Sequence, residues 1–421
     1  MAEPGKIEDL IKSHAGKILG YLIRLLGNFD DAEDLHQEVL LKALVHWRAQ
    51  GLPQEPLAWL FMTAKNLAID HLRRHQTAEK NLQKLQIESP QGDELTGYLE
   101  DDLLRLIFTC SHPSLNDETR VSLTLRSVAG LRLSEVANAF LVSPSTMEQR
   151  LVRAKRKIKL AGIPFEIPTG QQIAVRLHGV LQTVYLLFNE GYSASSGASL
   201  VNVSICDEAL GLGKLLVDLF PGNAEVLALL ALMLLQDSRR DARSTDTGAL
   251  VLLKDQNRTN WNHDQIKLGL EILDQSLGLK QRPAFFQLQA TIAALHAQAE
   301  SFEKTDWAEI GLVYQVLLKH VPVKSDAVVI WLNYAVVLAM QGQFQEGLSL
   351  LTELQPGLLN YHPYYLARAE LQLMATEAGD PGISIDTSPE EDLEKALSLT
   401  RNDAERQYLQ ARLKQIRQKK G

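Results

Sequence analysis

Six cations crowd one short segment: Arg150, Arg153, Lys155, Arg156, Lys157 and Lys159 fall within Pro144–Leu160, against a single acid, Glu148. Side chains of this kind neutralise phosphates and release counterions from nucleic acid. Ser143-Pro144 opens the segment as a helix cap followed by a residue suited to the first turn. Met147, Leu151, Ala154 and Ile158 recur at steps of four, three and four, which predicts a buried stripe. On that register Ser145, Thr146, Glu148, Gln149 and Arg150 face outward where base edges are read. Arg153, Lys155, Arg156 and Lys157 sit nearer phosphates. On charge alone, a solvated helix face is the favoured reading.

Two further constellations lie upstream. A helix starting at Pro56 carries Leu57, Leu60, Phe61, Ala64 and Leu67 or Ala68 as its core face. Lys65, Asn66, Asp70, Arg73 and Arg74 are placed on the opposite face, where the cations suit phosphates and an asparagine suits a base edge. Before it, Ala32, Leu35, Val39 and Ala43 mark the buried stripe of another helix. Asp30 is its expected cap, with Glu33 as capping-box partner. Glu33, Asp34, Gln37 and Glu38 lie off that stripe, an acidic turn that complements the helix dipole.

The elements that hold these residues read as helix almost throughout, so the expected fold class is all-α. A helix over Thr119–Val128, a turn at Gly130 and a short Ser134-capped helix through Phe140 precede the basic segment. Together they form a helix-turn-helix pattern. Polar Gln76–Gly97 and the Pro/Gly-rich Gly162–Gly170 suggest boundaries. The expected domains are 1–76, a linker 77–97, 98–161 and a long helical region 162–421.

At 421 residues, two or three domains are expected, and the apolar share of 45% is that of a folded chain. Charge is unevenly spread. Met1–Leu160 holds 21 basic and 21 acidic residues, so the whole net charge of −8 lies beyond it. Two distant cysteines, Cys110 and Cys206, exclude a disulfide scaffold. No metal and no cofactor are expected, because Cys110 and His112 have no second ligand pair nearby. No basic-apolar leader opens the chain, and the apolar run Val226–Leu235 is too short to span a bilayer. A cytoplasmic protein without membrane contact is expected.

The run Ala32-Glu33-Asp34-Leu35-His36-Gln37-Glu38-Val39, then Ala58-Trp59-Leu60 with Asn66-Leu67-Ala68-Ile69-Asp70-His71-Leu72-Arg73-Arg74, resembles region 2 of extracytoplasmic-function sigma factors. The helix-turn-helix of 119–160 resembles region 4 of the same family. The resemblance implies that Asp34, Gln37 and Glu38 bind the basic clamp helices of the RNA polymerase β′ subunit. It implies that the loop Arg48–Glu55 and Lys65, Asn66, Asp70, Arg73 and Arg74 read the −10 element of promoter DNA. The basic helix would read the −35 element, with region 4 on the β flap, and the linker would thread through polymerase. Trp59 could help melt DNA or pack, and its place near the core stripe favours packing.

Ordinary members end soon after region 4, whereas this chain continues for about 260 residues. Cys110-Ser111-His112-Pro113, Phe188-Asn189-Glu190-Gly191-Tyr192 and Asp255-Gln256-Asn257-Arg258-Thr259-Asn260-Trp261 resemble a subgroup with a tetratricopeptide-like C-terminal extension. Asn257 departs from the Asp of that pattern. Read physically, Val328–Gly342 with Phe344–Leu354, and Glu391–Thr400 with Ala404–Ile416, are helix pairs of the kind that stack into a solenoid. Solenoids bind proteins or peptides. Asn189, Glu190 and Tyr192 read either as a ligand or interdomain site, or as a helix stop with Gly191 left-handed.

The sequence therefore points to a sigma factor regulated by its extension. The alternative is a stand-alone helix-turn-helix regulator with a peptide-sensing solenoid. An enzyme is disfavoured, since no nucleophile–base pair, phosphate loop or metal cluster is legible.

Overall fold

The computed structural model describes residues 4–74, 93–140, 142–193, 200–245, 248–320, 327–380 and 387–420. Among them every regular element is helical, and the β features are isolated bridge positions, such as the antiparallel bridge between Ser244 and Leu250. The chain divides into two compact units, Met1–Leu187 and Phe188–Gly421.

In the first unit, α1 (Pro4–Leu26) packs against α2 (Phe29–Gln50), α3 (Pro56–Arg74) and α4 (Asp93–Cys110). Ile18, Leu22, Trp47, Leu60, Phe61, Leu99 and Leu106 are buried here. Glycine sets how closely α1 and α4 approach. A Cβ on Gly20 would lie 2.6 Å from the Asp102 carbonyl oxygen, and one on Gly16 would lie 2.5 Å from that of Val128. Asp102 is fully buried, and its Oδ1 accepts from Arg24 Nε at 2.8 Å and Arg105 Nη1 at 2.7 Å. Burial pushes this carboxyl up, against the pull of both guanidinium groups.

The cap of α2 is Asn28, whose side chain accepts from the Asp31 amide, rather than the expected Asp30. The helix starts earlier, so Asp30 and Asp31 fall in its first turn at the positive end of the dipole. The expected helix over Thr119–Val128 is two pieces. Asn116 caps α5 (Asp117–Leu123), which widens into a π-helical turn over Thr124–Val128. That turn carries the Val128 carbonyl that meets Gly16. After Gly130, at φ 72°, comes α6 (Leu133–Ala139). Ser134 lies inside α6 and is not its cap; Glu135 Oε2 instead accepts from the Arg132 amide at 2.7 Å. Ser143 caps α7 (Pro144–Leu160) as expected, accepting from the Thr146 amide. Met147, Leu151, Ala154 and Ile158 are its buried residues.

The division into compact units falls at 187/188, within α8 (Gln171–Tyr192). In that helix Leu177, Val180, Leu181 and Val184 are buried, and Arg176 Nη2 donates to the Phe108 carbonyl at 2.7 Å. A Cβ on Gly179 would lie 3.3 Å from the Ser111 carbonyl oxygen, so the N-terminal part of α8 meets the end of α4. Most of the expected linker 77–97 lies outside the described residues, and Asp93–Gly97 already belongs to α4.

The second unit continues through α9 (Val203–Leu219), α10 (Ala224–Asp237), α11 (His263–Gly278), α12 (Phe285–Gln298) and α13 (Trp307–His320). Then follow α14 (Val328–Met340), α15 (Phe344–Leu358), α16 (His362–Glu377), α17 (Pro389–Leu399) and α18 (Asp403–Lys420). The run Val226–Leu235 is wholly buried in α10, which packs against α9, α11 and α12. Expected pairs α14–α15 and α17–α18 are present, the first turning at Gly342 with φ 81°. A Cβ on Gly347 would lie 2.8 Å from the Ala335 carbonyl oxygen, so that pair packs through small residues.

His36 gives the first unit a pH dependence. It is buried, and its pKa is pushed down to about 4 by that burial and by Arg126, against a hydrogen bond with the Ala15 backbone. A depressed histidine leaves stability intact above the ordinary value of 6.5 and loses it as pH falls towards 4. The loss amounts to about 3 kcal/mol across that window. In urea titrations from pH 7 to 4, His36→Gln is expected to flatten this fall. An unchanged profile would assign the acid sensitivity to other groups.

Candidate functional site

Asp34, Gln37 and Glu38 are all exposed on α2. Their face continues at helical spacing into Leu41 and Val45, which are 61% and 62% exposed. Sequence reasoning did not single out these aliphatics. The signal was their position four and eight residues beyond Gln37, outside the core stripe. Glu38 holds Lys42 at 3.0 Å in an exposed pair. Glu33 turns away from this face and accepts from Lys155 Nζ at 2.9 Å.

On α3, Asn66, Asp70, Arg73 and Arg74 are exposed as expected. Lys65 is not: it is buried, seven per cent exposed. Its spacing from Phe61, Ala68 and Leu72 is that of the core stripe itself, so its stem packs inward. Trp59 is half-buried, stacked on His46 at 5.2 Å between ring centroids and edge-on to Trp47 at 5.6 Å. Those contacts give it a packing role in the described structure.

Along α7, Ser145, Thr146, Glu148, Gln149, Arg153 and Arg156 are exposed, as are Lys157 and Lys159. The Ser143 hydroxyl ties the N-terminus together, lying 2.9 Å from Ser145 Oγ and 2.8 Å from Thr146 Oγ1. Arg150 is half-buried and paired with Glu118. Lys155 departs from the expected phosphate-facing row. Its Nζ lies 2.9 Å from Glu33 Oε2 and 3.4 Å from Asp30 Oδ1. Burial would lower its pKa, but these two carboxylates raise it, so it stays charged and committed to α2. A cleft of about 650 Å³ runs beside this contact, lined by Arg24, Asn28, Phe29, Val152, Arg156 and Phe165 among others.

In the second unit, Asn189 and Glu190 are half-buried and Tyr192 is buried. The expected left-handed stop at Gly191 does not occur, since α8 continues through Tyr192. Gly191 serves close approach instead: a Cβ there would lie 2.8 Å from the Cys206 amide nitrogen. Tyr192 stacks on Phe188, receives the Arg243 guanidinium 3.8 Å above its ring, and lines a cavity that Asn189 and Glu190 do not reach. Asn257 caps a short turn, its Oδ1 accepting from the Thr259 amide and hydroxyl. Arg258 donates to the carbonyls of His296 and Ala299 while lying over Trp261. That motif is thus a structural clamp.

Cys110 is buried, and burial pushes its thiol far up; the Cys206 thiol is pushed up to about 12, by burial first and then by Asp237. His112 Nδ1 accepts from the Ser114 amide at 3.1 Å. Among the described residues no three metal-ligating side chains gather, and no helix is long and apolar enough to cross a membrane.

The chain has matches to three family models. Sigma-70 region 2 matches residues 10–78, sigma-70 region 4 matches 105–158, and a family of unknown function (DUF6596) matches 176–277. An uncharacterized protein of Rhizobium meliloti is 39% identical over 98% of this chain and 96% of its own length. ECF RNA polymerase sigma factor SigL of Mycobacterium tuberculosis is 29% identical over 38% of this chain and 90% of its own. The ferric citrate uptake sigma factor FecI of Escherichia coli is 28% identical over 35% of this chain and 85% of its own. No solved structure matches.

Proposed function

The chain belongs to the extracytoplasmic-function sigma factors of the sigma-70 family, with a large C-terminal extension, and from that membership we propose how its parts divide the work. It is an RNA polymerase sigma factor that directs promoter-specific transcription. The α2 face of Asp34, Gln37, Glu38, Leu41 and Val45 docks on the basic clamp helices of β′. The observation that carries this is the pairing of exposed acids with two exposed aliphatics on one helix face. Charge steers and orients such an encounter, while the two aliphatics add apolar area that docking would bury.

Asn66, Asp70, Arg73 and Arg74 contact the −10 element, where region 2 captures unpaired bases. Ser145, Thr146, Glu148 and Gln149 enter the major groove at the −35 element, and Arg153, Arg156, Lys157 and Lys159 follow phosphates. Region 4 rests on the β flap. Lys155 joins the phosphate row only after leaving Glu33 and Asp30, so the first unit as described withholds one cation from DNA. The helical extension regulates initiation and takes a protein or peptide partner.

The test is run-off transcription with bacterial core polymerase on the chain's own promoter region. Specific initiation by the full chain supports the reading, and failure to bind core refutes it. A comparison truncated after Leu187, at the observed unit boundary, gives the sign of regulation. In holoenzyme binding to promoter DNA, Arg156→Ala is expected to lower affinity evenly across −35 sequences and reduce the salt slope by about 1. A change confined to one base position would assign Arg156 to base reading.

A further inference from the structure

The second unit contains a cavity of about 270 Å³ in which Arg239 and Arg243 stand beside an apolar wall that includes Leu250, Leu366 and Leu409. Among the described residues neither arginine forms an ion pair. Arg243 donates to the Tyr192 carbonyl and lies over the Tyr192 ring, while Arg239 lies 5.8 Å above the Trp261 ring. Elsewhere in this unit, partly buried arginines meet carboxylates: Arg240 meets Asp237, Arg368 meets Asp392, and Arg412 meets Glu370. The cavity pair lacks such a carboxylate, as does Arg258, whose Nη1 is taken up instead by the carbonyls of His296 and Ala299. Burial, with Arg239 close by, lowers the Arg243 pKa against a weaker pull from Glu405.

One carboxylate, Glu405, shares the wall. It is engaged by His362 Nε2 at 2.9 Å and by the Thr400 hydroxyl at 2.9 Å. Burial would push its pKa up, but His362, Thr400 and Arg243 hold it down, so it remains ionised. Two guanidinium groups against one carboxylate leave about one positive charge to neutralise. A further group is unmet: Gln256 Oε1 is buried and accepts no hydrogen bond, while its amide nitrogen donates to the Val251 carbonyl. A buried acceptor without a donor is costly unless something supplies one.

We propose that this cavity is a ligand site for a small monocarboxylate with an apolar body and an N–H donor, the chemistry of an N-acylated apolar amino acid or of a peptide's C-terminal residue. Charge selects a monoanion over a phosphate dianion, because Glu405 repels the second charge. Arg239 and Arg243 take the carboxylate, as guanidinium groups do with planar bidentate acids. The leucines and Tyr408 cover the apolar body, and Gln256 accepts from the donor. The volume lies near the lower limit for ligand pockets, which restricts the occupant to one residue or its equivalent. The site does not depend on whether the extension activates or inhibits transcription.

The test is calorimetric titration of the full chain with N-acetylphenylalanine, its uncharged C-terminal amide, and a hexapeptide ending in phenylalanine with a free carboxylate. The acid is expected to bind at least about tenfold more tightly than the amide. Arg239→Gln, checked for folding by circular dichroism, is expected to remove that preference. The peptide separates the sources. Tighter binding than the acetylated amino acid assigns a peptide terminus, and weaker binding assigns a free small molecule. Equal affinity for acid and amide overturns the proposal. So does an unchanged affinity in folded Arg239→Gln, or no binding of acid or peptide up to about 10 mM.

Discussion

Reversing charge on α2, with Asp34→Lys and Glu38→Lys together, is expected to lower promoter-directed run-off by about 100-fold or more while leaving the fold intact. Both side chains are exposed, and among the described residues the only ion pair either makes is the exposed one between Glu38 and Lys42. Exposed substitutions of this kind change stability by about 0.5 kcal/mol or less. Placing two lysines against a basic partner instead costs several kcal/mol, enough for two decades of affinity. Leu41→Asp attacks the same face through its apolar part and is expected to act in the same direction without disturbing the core, since Leu41 is 61% exposed. Core polymerase binding by fluorescence anisotropy and run-off should fall together. If binding to duplex promoter DNA without polymerase accounts for activity and both survive the reversal, the chain works as a stand-alone regulator.

The parts legible in the sequence were those fixed by short-range spacing. The stripe Ala32, Leu35, Val39 and Ala43 is buried, as is the stripe of α7, and Ser143-Pro144 begins α7 where the capping chemistry requires. Lys65 shows how charge can mislead. Its spacing from Phe61 and Ala68 placed it on the core side, and the apolar stem follows the spacing. Lys155 and Glu33 were not legible, because 122 residues separate them and only tertiary packing brings α7 to α2. The pairing of Arg24 with Asp102 is hidden for the same reason. Pro164, Pro168 and Gly170 mark a break in helix, whereas the compact units divide within α8, at 187/188. A break in helix is not a break in packing, since Arg176 and Gly179 of α8 still meet Phe108 and Ser111. Gly191 looked like a stop because glycine suits a left-handed residue, yet its missing side chain is used for contact with Cys206.

Asp392→Ala is expected to destabilise the second unit by about 3–5 kcal/mol, the largest stability effect of any single change considered. Asp392 and Arg368 are one and three per cent exposed, on α17 and α16. Arg368 addresses both carboxylate oxygens, with Nε 2.8 Å from Oδ2, and its Nη1 donates to the Tyr364 hydroxyl at 2.9 Å. Gln372 and Thr387 also donate to Asp392. Removing the carboxylate therefore strands a buried guanidinium with one neutral partner and leaves further donors unsatisfied. The penalty comes from the charge left behind rather than from the attraction lost. The double change Arg368→Met with Asp392→Leu removes both charges and refills much of the space. It is expected to recover most of the loss, even though two native side chains are gone. Because the chain has two units, the measurement is a urea titration followed by a reporter in the second unit, rather than one global midpoint. A single mutant costing less than about 1 kcal/mol would mean that water reaches Arg368 once Asp392 is removed. A double mutant no better than the single would mean that the four donors, not the unpaired charge, hold α16 and α17 together.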